Sequence, residues 1–198
     1  GLTSEDLAIR VSSRKVLEEV LGSIGVTGDA FPAVCVIVDK MDKLPEDVIA
    51  AQLSEQGLGD DDISRIVTTL GLSEVSDIAT ALGSASPAVA ELTELFELAS
   101  AYGISNWLAF DASVVRGLAY YTGPVFEAHD RAGDLRAVCG GGRYDRLLST
   151  LGGKDMPATG FGFGDMVIME LLADKGLVPD LPSGNEDIVM SLGEDLRS

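Results

Sequence analysis

Residues 124–148 read PVFEAHDRAGDLRAVCGGGRYDRLL, and the class of the fold turns on them. Residues 124–129 form a short β-favouring run. Arg131–Ala132–Gly133–Asp134, with Asp130 ahead of them, carry turn chemistry: glycine accepts a left-handed backbone and Asp captures nearby amides. Residues 135–139 then return as a second strand, so an antiparallel hairpin is predicted. Gly140, Gly141 and Gly142 lead into Arg143–Tyr144–Asp145 and a helix. Glycines at a strand-to-helix turn let a ligand approach the backbone and present N–H groups at a helix start, although a tight turn needing positive φ explains them as well. The run lacks the GK[ST] ending of a phosphate-binding loop, and no parallel βαβ unit precedes it. The residues themselves predict an antiparallel pair of strands here.

Two further stretches flank this hairpin. Residues 159–165, TGFGFGD, alternate Gly160, Gly162 and Gly164 with Phe161 and Phe163. In a strand of period two the glycines share one face, a bare backbone surface that accepts a flat ring such as adenine or a closely packed helix. The phenylalanine face is expected in the core. Upstream, residues 116–127 read RGLAYYTGPVFE. Arg116 supplies a fixed charge and a planar fork for carboxylate or phosphate, and Tyr120 and Tyr121 supply rings and hydroxyls for a small polar or aromatic ligand. The alternative is that both tyrosines are structural and that Arg116 pairs with Asp111 or Glu127.

Charge separates this region from the rest. The chain has 198 residues, 32 acidic and 14 basic, and a net charge of −18. Residues 29–103 hold fourteen acids and three bases, whereas 104–164 hold six of each, including Arg116, Arg131, Arg136, Arg143 and Arg146. The acidic excess argues against general nucleic-acid affinity and suits solvated helix faces. An anionic ligand belongs in 104–164. Two distant cysteines, Cys35 and Cys139, exclude a disulfide framework, and a single histidine argues against a His-based metal site or a Ser-His-Asp triad. No metal-binding residues are assigned, and no membrane span is expected.

Residues 6–12 alternate as a strand, and 15–21 form a helix on Val16, Leu17, Val20 and Leu21. Residues 29–103 read as a module of about four helices; Val34, Ile37, Val38 and Met41 fit a helix at least as well as a strand. Further strands are expected over 104–110 and 159–163, and a helix over 165–175 that stops at Gly176. A Pro- and Gly-bearing linker precedes a last strand over 187–192. That late strand, and Gly instead of Met at the first position, suggest a piece of a longer protein.

In this order the motifs resemble the histidyl-tRNA synthetase family of class II aminoacyl-tRNA synthetases. VVRGLAYYTGPVFE and CGGGRYDRLLSTLGG look like its two histidine-specific motifs, and PATGFGFGDMVIMELL falls where class II motif 3 stands. The resemblance implies an α+β fold, a class II antiparallel sheet flanked by helices and not a Rossmann fold, divided as core (1–28), helical insertion (29–103), core with the motif 3 helix (104–176) and the start of an anticodon-binding domain (177–198). It implies ATP and Mg2+, the partners L-histidine and histidine tRNA, a homodimer for the longer protein, and a cytoplasmic setting or else a mitochondrion or plastid. Arg116 would be catalytic and touch the α-phosphate. Tyr120, Tyr121, Gly140, Gly141, Gly142 and Tyr144 would bind histidine, and Gly160, Gly162 and Gly164 would lie under ATP. The sequence departs from the family at Ala119, where many members are acidic, and in having no arginine between Arg146 and Arg197. Motifs 1 and 2 are not among the 198 residues. A histidine-binding regulatory subunit of ATP phosphoribosyltransferase is the competing reading; the presence of Arg116 favours the synthetase.

Overall fold

The structure, a computed structural model, describes residues 1–28, 30–41, 43–115 and 120–180. Arg116 and the strand expected over 187–192 lie outside the described residues.

The chain opens with strand β1 (Leu7–Ser13), whose last residue caps helix α1 (Arg14–Ser23): Ser13 Oγ accepts from the amide of Lys15. This is the usual fate of Ser at a helix start. Val16, Leu17, Val20 and Leu21 are buried as their spacing predicts. Five helices follow instead of about four: α2 (Ala30–Val38), α3 (Glu46–Glu55), α4 (Asp60–Leu70), α5 (Val75–Leu82) and α6 (Pro87–Ala101). α2 is apolar on nearly every side, so periodicity alone left strand and helix open; burial of Val34, Cys35, Ile37 and Val38 needs the helical spacing. α3 and α4 start with Glu46–Asp47 and Asp60–Asp62, charges that suit a helix N-terminus. α6 takes Pro87 in its first turn, its Val89 amide donates to Ser86 Oγ, and Glu19 of α1 accepts from the Ala88 amide at 2.9 Å. One hydrophobic cluster runs from α1 through all five helices to Phe110.

A short 3-10 turn (Ser105–Trp107) shortens the next strand, β2, to Leu108–Phe110. Then come β3 (Pro124–Asp130), β4 (Cys139–Tyr144), a one-turn helix α7 (Leu147–Thr150), β5 (Ala158–Phe163) and α8 (Asp165–Asp174). The sheet has the order β2-β1-β3-β4-β5. It is mixed: β1 and β2 run parallel, and the other three pairings are antiparallel.

Two expectations fail for local reasons. The hairpin exists, but its second strand is Cys139–Tyr144, not 135–139. Buried Asp130 accepts from the amides of Asp134 and Leu135 at 3.1 and 3.0 Å, which keeps those residues out of the ladder. Gly140–Gly142 therefore lie inside a strand and none has positive φ; Gly133, at φ 79°, takes the left-handed turn position. The phenylalanine face of β5 is not core: Phe161 and Phe163 are 66% and 57% exposed. β5 is an edge strand; its phenylalanines share the sheet face of Ala128 and Cys139, where α8 packs through Leu171 on Leu7, Ala128 and Val138 but leaves both rings exposed.

Candidate functional site

Register decides which side chains meet. Val125 pairs with Gly142 and Gly142 with Gly160; Glu127 pairs with Gly140 and Gly140 with Gly162. Paired residues point to the same face of a sheet. Gly140, Gly142, Gly160 and Gly162 thus make a floor of bare backbone two strands wide, with Tyr144 at its end opposite Ala158.

Three phenol rings stand over that floor. Ring centroids are 4.6 Å apart for Tyr120–Tyr121, 5.7 Å for Tyr120–Tyr144 and 6.5 Å for Tyr121–Tyr144. Two glycines make this possible. A Cβ on Gly142 would lie 2.8 Å from the Tyr121 ring, and one on Gly160 would overlap the Tyr144 hydroxyl. Over Gly162 nothing lies within 4 Å, so this part of the floor is open to a ligand. The hollow so formed has a volume of about 470 Å3 and is also walled by Leu147 and Phe161. A second hollow of about 250 Å3 shares Tyr120, Tyr121 and Leu147 with it and is closed by Glu18, Thr122, Arg146 and Thr150. Burial pushes the Glu18 carboxyl up, against the pull of Arg14, Arg146 and Lys15.

The structure thus brings Tyr120, Tyr121, Gly140, Gly142, Tyr144, Gly160 and Gly162 to one face. Gly141 points to the opposite face, where a Cβ would strike the Gly160 carbonyl and Phe161. Gly164 stands past the end of β5 as the N-cap of α8, its amide bound to the Val138 carbonyl at 2.8 Å.

Polar residues that the sequence reading did not assign to the site share this face. Glu127 stands beside Gly140 and contacts His129 Nε2 at 3.1 Å; Arg10 pairs with Asp111 at 3.4 Å. The two-residue spacing of Glu127 and His129 marks a shared face; the pairing of Arg10 with Glu127 across β1 and β3 is a long-range fact. At the rim, Thr122 Oγ1 donates to Asp145 Oδ2 at 2.9 Å and Arg143 Nε donates to Asp145 Oδ1 at 2.9 Å. Burial raises the Asp145 carboxyl, but the hydrogen bonds from Arg143 and Thr122 outweigh it and hold the group below the usual carboxylate range. Among the described residues no group of three or more His, Cys, Asp or Glu is placed to hold a metal ion.

A floor of glycines beneath three tyrosines suits a flat, polar ligand. The sequence profile of histidyl-tRNA synthetase matches residues 2–165. This chain belongs to the histidyl-tRNA synthetase family. A chloroplastic/mitochondrial histidine–tRNA ligase of Arabidopsis thaliana is 53% identical over 197 residues, 100% of this chain and 40% of that protein. A crystal structure of histidyl-tRNA synthetase from a Nostoc species superposes with a TM-score of 0.75 at 25% identity, covering 88% of this chain and 43% of the other. A Bacillus halodurans structure described as an ATP phosphoribosyltransferase regulatory subunit/histidyl-tRNA synthetase gives a TM-score of 0.69 at 24% identity, over 84% of this chain and 44% of the other; it attests the fold. The chain spans about two fifths of the length of these relatives.

Proposed function

We propose that this chain is part of a histidine–tRNA ligase, in which histidine and ATP react to histidyl-adenylate before histidine passes to its tRNA. The observation that carries the reading is the trio of tyrosines over a glycine floor, within a chain of this family. Tyr120, Tyr121 and Tyr144 give the imidazole ring stacking surface and hydroxyl partners. Gly140 and Gly142, with Gly141 in the same strand, keep that pocket deep. The open backbone at Gly162 receives adenine, Gly160 lies beside it under the Tyr144 hydroxyl, and Gly164 ends the strand that carries both. Arg116 is the proposed catalytic cation: a guanidinium at the α-phosphate stabilises charge that develops in the transition state.

Magnesium, implied by the family resemblance, would enter with the nucleotide. The described residues form no acidic cluster to seat it, and no step is assigned to it. The longer protein is proposed to act as a homodimer on histidine tRNA. The compartment is the cytoplasm or an organelle, and the name of the Arabidopsis relative favours the organelle. No described helix is long and apolar enough to cross a membrane.

The regulatory-subunit reading shares the fold, so the choice rests on Arg116. In the longer protein containing these residues, Arg116→Ala is expected to lower adenylate formation by roughly 100-fold or more, the effect of removing one transition-state donor. An unchanged rate would remove Arg116 from the mechanism and favour the regulatory reading. The 198 residues alone are expected to give no histidine-dependent pyrophosphate exchange, since motifs 1 and 2 are not among them.

A further inference from the structure

The three tyrosines are packed unequally. Among the described residues their cluster has Val114, Tyr121 and Val125 as buried members, with Tyr144 partly buried against them, and Tyr120 is 37% exposed. A hydrogen-bonded pair joins the two segments that carry the rings. Thr122 follows Tyr120–Tyr121 directly, and Asp145 follows Tyr144 directly. These two residues are bound to each other reciprocally. Thr122 Oγ1 donates to Asp145 Oδ2 at 2.9 Å and accepts from the Asp145 amide at 3.1 Å. The Thr122 amide donates to the Arg143 carbonyl at 2.9 Å. Arg143 Nε holds the Asp145 carboxylate from the other side at 2.9 Å, and the Asp145 carbonyl accepts from the Met156 amide at 3.1 Å, on the segment that leads into β5 and the glycine floor.

All three walls of the hollow therefore meet at one pair of side chains. We propose that Thr122 and Asp145 are positioning residues: their reciprocal hydrogen bonds set the spacing of Tyr120, Tyr121 and Tyr144, and with it the fit of the hollow for an aromatic amino acid. The ligand half of this statement rests on the function proposed above; the spacing half does not. A hydroxyl is needed at 122 because the position both donates and accepts. Serine preserves both bonds, whereas valine keeps the shape and removes them.

The test labels the four tyrosines with 3-fluorotyrosine and follows them by 19F NMR. Tyr102, 79% exposed and outside the trio, is the internal control. T122V is expected to move the Tyr120, Tyr121 and Tyr144 signals, to leave Tyr102 unmoved, and to weaken L-histidine binding in calorimetry by about tenfold, the size of one lost hydrogen bond to a charged group. T122S is expected to restore both. D145N reports on the same clamp, and should it fail to fold, T122V, which leaves Asp145 paired with Arg143, carries the test. Unmoved trio signals in T122V overturn the proposal, as does a loss of thermal stability with no change in those signals. If the parent chain does not bind L-histidine, the ligand reading falls, and the tyrosine signals still decide the clamp.

Discussion

The helices of residues 30–101 and the glycine-floored half of the sheet use burial in opposite ways. In the helices, Val34, Leu53, Ile66, Ile78 and Leu92 are fully enclosed in one continuous cluster with α1. In the sheet, β5 has no buried residue, Phe161 and Phe163 face outward, and Gly162 meets nothing within 4 Å. Folding free energy comes mainly from apolar area removed from water. The helical region supplies it in quantity, and its acids line the solvent side. The sheet region leaves backbone and ring surface uncommitted, which is what a binding site requires. Stability and the proposed binding function fall to different parts of one chain.

Substitutions can break or sharpen that contrast. The largest stability effect is expected from Leu53→Ala in α3, a cavity in the closed cluster costing about 2–5 kcal/mol. Urea unfolding measures it, and the tyrosine signals of the native chain should not move. A loss below about 1 kcal/mol would mean the helical core is not closed as described. Next comes Gly142→Ala, whose Cβ would sit 2.7 Å from the Pro124 carbonyl and 2.8 Å from the Tyr121 ring. Overpacking of this kind costs about 1–3 kcal/mol. Here the damage is expected at the site: the Tyr121 signal shifts and histidine affinity falls.

A smaller effect should follow pH at the β3–β4 turn. Burial raises the Asp130 carboxyl, but the amides of Asp134, Leu135 and Gly133 outweigh it and hold it below the usual range. A depressed carboxylate contributes stability above its unfolded pKa and loses it as pH falls through the folded value. The wild-type urea midpoint should therefore drop below about pH 4, and Asp130→Asn should flatten that part of the profile. An equally steep profile in the variant would assign the acid sensitivity elsewhere. The smallest effect belongs to Gly162→Ala: with open space above it, stability should change by no more than about 0.5 kcal/mol. ATP binding, in contrast, should weaken, because a methyl would stand on the floor.

Much of this contrast was legible in the sequence. The helices declared themselves through apolar spacing such as Val16, Leu17, Val20 and Leu21, through Pro87 at a helix start, and through acids in the first turns of α3 and α4. The glycine and tyrosine motifs named residues that the structure gathers around one hollow. What failed depended on partners distant in sequence. Gly140–Gly142 have no strand propensity, and only pairing with β3 and β5 makes them β4. Period two separated the phenylalanines from the glycines of β5, but it could not say that α8 would stop short of the rings on the face it covers. Arg10 and Glu127 come to one face through a register that no local pattern encodes. The bond between Thr122 and Asp145 joins two motifs that read as independent.

The direct test of the account is a titration of the 3-fluorotyrosine-labelled chain with L-histidine, with one 19F signal for each of its four tyrosines. The account predicts that Tyr120, Tyr121 and Tyr144 shift together along one saturation curve while Tyr102 stays in place. Saturating histidine that moves none of the three, or moves Tyr102 instead, would contradict it.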